Sequence, residues 1–98
     1  MSKKIFILVG HPDRESFNSE LANSYADGAR EAGCEVRVKS LSDLSFDPIL
    51  HRGYREIQEL EPDLKAVQED IRWCEHFVIF YPSWWSTMPA LLKGFFDR

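Results

Sequence analysis

Residues 4–22 read "KIFILVGHPDRESFNSELA", an apolar run, a short polar loop and the start of an amphipathic pattern with nothing between them. The run at 4–9 is short, continuous and rich in β-branched residues, which fits a strand buried on both faces. Residues 10–16 are polar and turn-forming. From Phe17 the apolar or small positions Phe17, Leu21, Ala22, Tyr25, Ala26, Ala29 and Ala32 recur at helical spacing, and Gly33 supplies a stop. A helix is therefore expected over about 17–32. A buried strand that runs directly into a helix places the positive end of that helix at the strand's carboxyl end.

Further along, "EVRVKSL" alternates. Val36 and Val38 fall on one face, Arg37 and Lys39 on the other, as in a half-buried edge strand over about 35–40. Residues 41–61 are irregular. "LSDLSFDPIL" carries turn residues, and "RGYREIQEL" has room for one or two helical turns. Pro62 suits the first turn of a helix over about 62–74, with Leu64, Val67, Ile71 and Cys74 at helical spacing. "HFVIFY" predicts a third strand over about 76–81, apolar throughout and so central. "PSWWST" is a loop, and "MPALLKGFFDR" begins a third helix over about 88–98, with Pro89 in its first turn. Alternating strands and helices predict an α/β fold, a parallel sheet with helices on both faces.

Composition narrows the function classes. The chain has 98 residues, 44% hydrophobic and 29% charged, with a net charge of −4. That length allows one small domain. The acidic balance argues against a nucleic-acid partner, which would need a basic face. No stretch approaches the roughly 20 apolar residues of a membrane span, and "IFILVG" is too short for a signal peptide. Cys34 and Cys74 have neither C-x-x-C nor His-paired spacing, so they read as reduced packing thiols in a cytoplasmic protein. His51 and His76 lack metal-ligand spacing and read as surface and strand-start residues. The acidic run "EIQELEPDLKAVQED" reads as a solvated helix face.

In an open α/β sheet, ligands bind outside the carboxyl ends of the strands at the switch in strand order. With a 2-1-3 order, loops 10–17 and 82–87 flank that point. His11, Ser16 and Asn18 bring side-chain donors to the first loop, and the helix start adds unpaired N–H groups. An anion would be held there without a lysine. A plain helix cap at Ser16 or Asn18 explains the same residues. The G-x-x-x-x-G-K-[ST] and G-x-G-x-x-G patterns are absent, and no cysteine follows strand one, which excludes a thiol phosphatase built there. Nor does an acidic pair follow strand one, which weakens a phospho-acceptor receiver. In the second loop, Trp84 and Trp85 are costly to expose. They either plug a surface or subunit interface, or flank a flat ligand whose ring edge bonds the turn's amides.

Taken together, "GHPDRESFNSELA", "FDPIL" at 46–50 and "YPSWWSTMPALLKGFFDR" resemble the flavodoxin-like NAD(P)H:quinone oxidoreductase family, across nearly the whole chain and in order. That family includes modulators of drug activity and ancillary subunits of potassium efflux systems. The resemblance implies an FMN or FAD cofactor, NAD(P)H as hydride donor and a quinone substrate, in a two-electron ping-pong reaction. It places His11, Ser16, Phe17 and Asn18 at the flavin phosphate and ribityl chain, and Pro82, Ser83, Trp84, Trp85 and Ser86 around the isoalloxazine ring. It also implies a homodimer with the third helix near a shared pocket, and a membrane-transporter partner in some members. The family's sheet has the order 2-1-3-4-5. Residues 1–98 are therefore expected to be the N-terminal portion of one such domain, an incomplete sheet of strands 2-1-3 that stops inside a helix. On that expectation the residues assisting hydride transfer lie outside the chain, and catalytic residues are not assigned. A non-catalytic binding or regulatory subunit, or an inactive truncated fragment, are the competing expectations.

Overall fold

The computed structural model describes residues 3–98. Strand β1 is Lys4–Val9, β2 is Glu35–Ser40 and β3 is His76–Phe80, all parallel, in the spatial order β2-β1-β3. Helices α1 (Phe17–Glu31), α2 (Pro62–Trp73) and α3 (Ala90–Asp97) complete the chain. The α/β architecture expected from the alternation is the one observed.

The central position of β1 follows from its composition. Ile5, Ile7 and Val9 point to one side, against Ala22 and Ala26 of α1. Phe6 and Leu8 point to the other, against Leu64 and Val67 of α2 and Leu92 and Phe95 of α3. Phe6, Ile7 and Leu8 are fully buried. A strand with apolar residues on both faces finds full burial only between two helical layers. The small residues Ala22 and Ala26 let α1 approach the sheet closely.

β2 is an edge strand, as its alternation suggested. Val36 and Val38 pack into the α1 layer. Its charged face is answered by α2, where buried Asp70 takes Arg37 at 3.1 Å and Lys39 at 3.8 Å. Arg37 also lies over the Trp73 ring, 4.0 Å from its centroid. β3 forms the other edge, and among the described residues no strand pairs its outer side.

Several boundaries differ from expectation for local reasons. α1 ends at Glu31, and Gly33 at φ +90 closes it with bonds from Gly33 N–H to Arg30 O and Cys34 N–H to Ala29 O. That paired 5→2 and 6→1 pattern is the Schellman stop. α2 ends at Trp73, not 74, with Cys74 extended as its cap. β3 stops at Phe80, since Tyr81 precedes Pro82, which has no N–H to continue a ladder. α3 starts at Ala90 rather than at 88. Met88 precedes a proline and so avoids the helical region, which keeps the helix from starting there, and Pro89 with ψ 148 is its cap and not a first-turn residue. No helix forms in 52–60, where single turns close from Gly53 N–H to Leu50 O and from Arg55 N–H to Arg52 O, each at 3.1 Å. The extra turn lies earlier, as a 3₁₀ turn at Leu41–Asp43, where buried Leu41 plugs the α2–α3 side of the core.

No helix among the described residues is long and apolar enough to cross a membrane. Both cysteines are free and half-buried.

Candidate functional site

The first loop leaves β1 at Gly10, whose N–H adds a last rung to Phe80 O at 2.7 Å. A Cβ on Gly10 would sit 2.8 Å from Leu92 Cδ2 and 3.2 Å from Tyr81 Cβ. Glycine here lets the end of β1 pass between α3 and the start of the second loop.

The loop is then shaped by its own side chains. Asp13 N–H donates to His11 Nδ1 at 2.8 Å, and Glu15 N–H donates to Asp13 Oδ1 at 2.9 Å. Because Nδ1 accepts, the neutral imidazole carries its proton on Nε2, which is left as a donor. Ser16 is the N-cap of α1, and its Oγ accepts from Ser19 N–H at 3.2 Å. Ser19 Oγ donates to Arg14 O at 2.8 Å, so in the 3.1 Å contact between the two hydroxyls Ser16 is the donor. The Ser16 hydroxyl is thus consumed in building the helix start. What remains open are the amides of Phe17 and Asn18, which have no partner among the described residues. The ring of Phe17 is exposed, and Asn18 is half-buried. Arg14, paired with Asp43 at 3.7 Å, adds the loop's one basic side chain.

The second loop is a tight hairpin. Trp84 N–H donates to Thr87 O at 2.8 Å and Thr87 N–H to Trp84 O at 3.1 Å. The two residues between them, Trp85 at φ 53 and Ser86 at φ 64, are both left-handed. Positive φ at both central positions defines a type I′ turn, normally the province of Asn and Gly. A side chain in that region costs about 1–2 kcal/mol per residue. Trp85 is 99% exposed, so the cost is not offset by packing. The Trp84 amide is consumed within the turn and Pro82 has none, which leaves the amides of Ser83, Trp85 and Ser86 for a ligand.

The two loops meet. The His11 ring stands edge-on to Trp84, with centroids 5.3 Å apart and an interplanar angle of 82°. The open helix amides at one end and the strained aromatic turn at the other therefore belong to one surface, at the carboxyl ends of adjacent strands β1 and β3. An apolar cleft of about 190 Å³ between α2 and α3 is lined by Leu60, Leu64, Val67, Ile71, Phe95 and Phe96, but it includes no residue of either loop. Its only charged neighbour, Arg98, is already engaged by Glu61 at 2.7 Å. The polar cavity at the start of α1, about 550 Å³ and lined by Arg14, Ser16, Phe17 and Ser19 with the carboxylates of Glu15 and Glu20, adjoins the open amides.

Three contributors escaped the sequence reading. Ser19 had a legible signal, a hydroxyl three residues after the cap. Gly10 and Arg14 had none, since the first depends on Leu92 and the second on Asp43, both distant in sequence. Among the described residues, no group of three or more His, Cys, Asp or Glu side chains could hold a metal ion.

The family model for the flavodoxin-like fold matches residues 3–98, and the chain belongs to that family. Its relatives carry the names of quinone dehydrogenases and of NAD(P)H oxidoreductases. A ribosyldihydronicotinamide dehydrogenase [quinone] of Pongo abelii is 27% identical over 117 residues, covering 98% of this chain and 50% of the relative. An NAD(P)H oxidoreductase of Haemophilus influenzae is 31% identical, covering 94% of this chain and 48% of the relative. Among solved structures, an NAD(P)H:quinone oxidoreductase from Methanothermobacter marburgensis superposes with a TM-score of 0.83 at 33% identity, covering all of this chain and 53% of that one. The chain spans about half the length of the curated relatives it matches.

Proposed function

We propose that the surface formed by loops 10–17 and 82–87 binds a flavin, FMN or FAD, for two-electron reduction of quinones by NAD(P)H. The observation that carries this reading is the His11–Trp84 contact, which joins an anion-competent helix start to an aromatic turn with free amides. The donor set fits the group. Phe17 and Asn18 offer amides, Asn18 a side-chain amide and His11 an Nε2–H to phosphate oxygens, while Ser16 holds the helix start that aims them. Pro82 fixes the entry to the turn. Ser83, Trp85 and Ser86 offer N–H groups to a heteroaromatic edge, and Trp84 and Trp85 offer ring faces. When bound, the flavin supplies the redox chemistry, accepting two electrons from a nicotinamide and passing them to a quinone. The chain's own residues bind, orient and shield. No residue of the chain is assigned as acid or base.

The family likeness extends the proposal to a homodimer with α3 near the shared pocket, and to a membrane-transporter partner. The two free thiols support a reducing, cytoplasmic setting.

The test is the visible spectrum of the full-length protein after adding FMN or FAD and removing the excess. Retained flavin absorbance that bleaches with NADH or NADPH, and returns on adding a quinone, is the expected result. Retained flavin that no nicotinamide bleaches favours a non-catalytic flavin-binding subunit. No retained flavin overturns the site assignment.

A further inference from the structure

Residues 44–61 connect the 3₁₀ turn to α2 without a helix or strand of their own. Backbone amides in such a stretch need partners elsewhere, and here many of the partners are carboxylates. Ser45 N–H donates to Asp63 Oδ2 at 2.6 Å, Asp47 N–H to Glu61 Oε2 at 2.5 Å and Ile49 N–H to Asp47 Oδ1 at 3.0 Å. His51 Nε2 meets Asp47 Oδ2 at 2.6 Å. From α3 comes Arg98, with a side chain only 1% exposed. It donates to Glu61 Oε1 at 2.7 Å, to Glu59 O at 2.8 Å and to Asp47 O. Its Nε is buried without a partner. Leu44, Phe46 and Leu60 reach the core from the ends of the stretch, and Pro48 packs on Gly94 of α3. In the middle, Tyr54 is 89% and Ile57 92% exposed.

We propose that residues 47–59 form a strap held against α3 by an Arg98–Glu61 clasp, and that acid opens this strap as a unit while the sheet stays folded. The reason lies in Arg98. With Glu61 ionised, the guanidinium is a buried cation with a bonded counter-charge. With Glu61 neutral, it keeps only carbonyl partners and an orphaned Nε, so it moves to solvent and the strap goes with it. Nothing else in the middle of the strap is anchored strongly enough to resist, because it buries little apolar surface. The Arg98 hydrogen bond and the Asp47 N–H hold the Glu61 carboxyl below its ordinary value of 4.5. The Ile49 N–H, then His51, hold Asp47 below 3.8. A carboxyl lowered in the folded state stabilises above its unfolded pKa and loses that contribution as pH falls through the folded one. Other charged groups near the clasp are Asp63 from α2, which takes the Ser45 N–H, the Lys93–Asp97 pair of α3, and Arg55 and Glu56 of the strap, which line one cavity with Asp97 and Arg98. None of them replaces Glu61 at Arg98 in the closed form.

Opening uncovers the Gly94 face of α3. That face is now covered so closely by Pro48 that a Cβ on Gly94 would lie 2.5 Å from Pro48 Cβ. α3 follows directly on the aromatic turn, so the clasp is a positioning device for the second loop's support and not a contact to ligand.

Hydrogen exchange of the full-length protein, read by mass spectrometry, tests this. At pH 7, E61Q and R98A should raise exchange in peptides from 47–59 about tenfold with β1 peptides unchanged. R98K, which keeps the charge but lacks the planar fork, should raise it as well. In the unsubstituted protein, strap exchange corrected for its intrinsic pH dependence should rise as pH falls from about 5 through the lowered carboxyl range, below 4.5 for Glu61 and below 3.8 for Asp47, and rise less in E61Q. Unchanged strap exchange in E61Q and R98A overturns the proposal. So does loss of β1 protection in step with the strap. Should R98A not fold, E61Q and the pH series decide the matter.

Discussion

Trp85 carries the sharpest contrast at the level of single residues. It occupies a left-handed position, stands 99% exposed and packs against no core residue. Exposed side chains away from caps and cores change stability little, within about 0.5 kcal/mol. Trp85→Ala is therefore expected to leave the thermal midpoint unchanged. Losing an aromatic face for a flat ring should weaken flavin binding about tenfold. Flavin titration of both proteins by fluorescence checks the second part. A large fall in stability would mean that Trp85 plugs a surface, the alternative that the sequence left open. The doubled tryptophan was legible as unusual in the sequence. The strain at Trp85 and Ser86 was not, because neither is a type that ordinarily adopts positive φ.

Helix α1 shows what a single element contributes. Its N-terminus is built by Ser16 and Ser19, which bond one another and the Arg14 carbonyl. Removing a serine cap costs about 1 kcal/mol. Ser16→Ala should lower the urea midpoint accordingly and also weaken flavin binding, because the amides of Phe17 and Asn18 depend on a formed first turn. An unchanged midpoint would show that Ser19 and the Asp13 turn hold the helix start alone. The extent of α1 was readable within one residue at its end, as was the extent of β1. Both are dictated by local patterns, a 3.6-residue apolar period with Gly33 as stop and a run too apolar for an exposed face. The start of α3 was misplaced by two residues. Its proline was read as a first-turn residue, whereas Pro89 caps the helix from an extended conformation.

For the molecule as a whole, the β3 edge is the decisive feature. Phe77, Val78, Ile79 and Phe80 are half-buried in a strand with a partner on one side only among the described residues. Unpaired N–H and C=O groups beside apolar side chains recruit other chains, and a small domain has little surplus stability to resist. The 98-residue chain is expected to melt broadly and to associate with rising concentration. Light scattering and thermal melts across a concentration series check this. A cooperative, monomeric melt would refute it.

The amino-acid sequence by itself determined the strands, the helices and their alternation, since each rests on a periodicity that neighbouring residues complete. It also marked two loops as unusual and, through their resemblance to known relatives, pointed to a flavin. Only the tertiary structure decided how those loops act together. The edge-on contact of His11 with Trp84, the fit of Gly10 beside Leu92 and the seat of Arg98 among residues 47–61 each join positions far apart in the chain. The irregular 44–61 segment took its form from its own Asp47 and Glu61 together with Asp63 and Arg98 beyond it, so no periodic pattern could have foretold that form. Periodicity reports which face of an element is buried. What that face is buried against is set by packing in three dimensions.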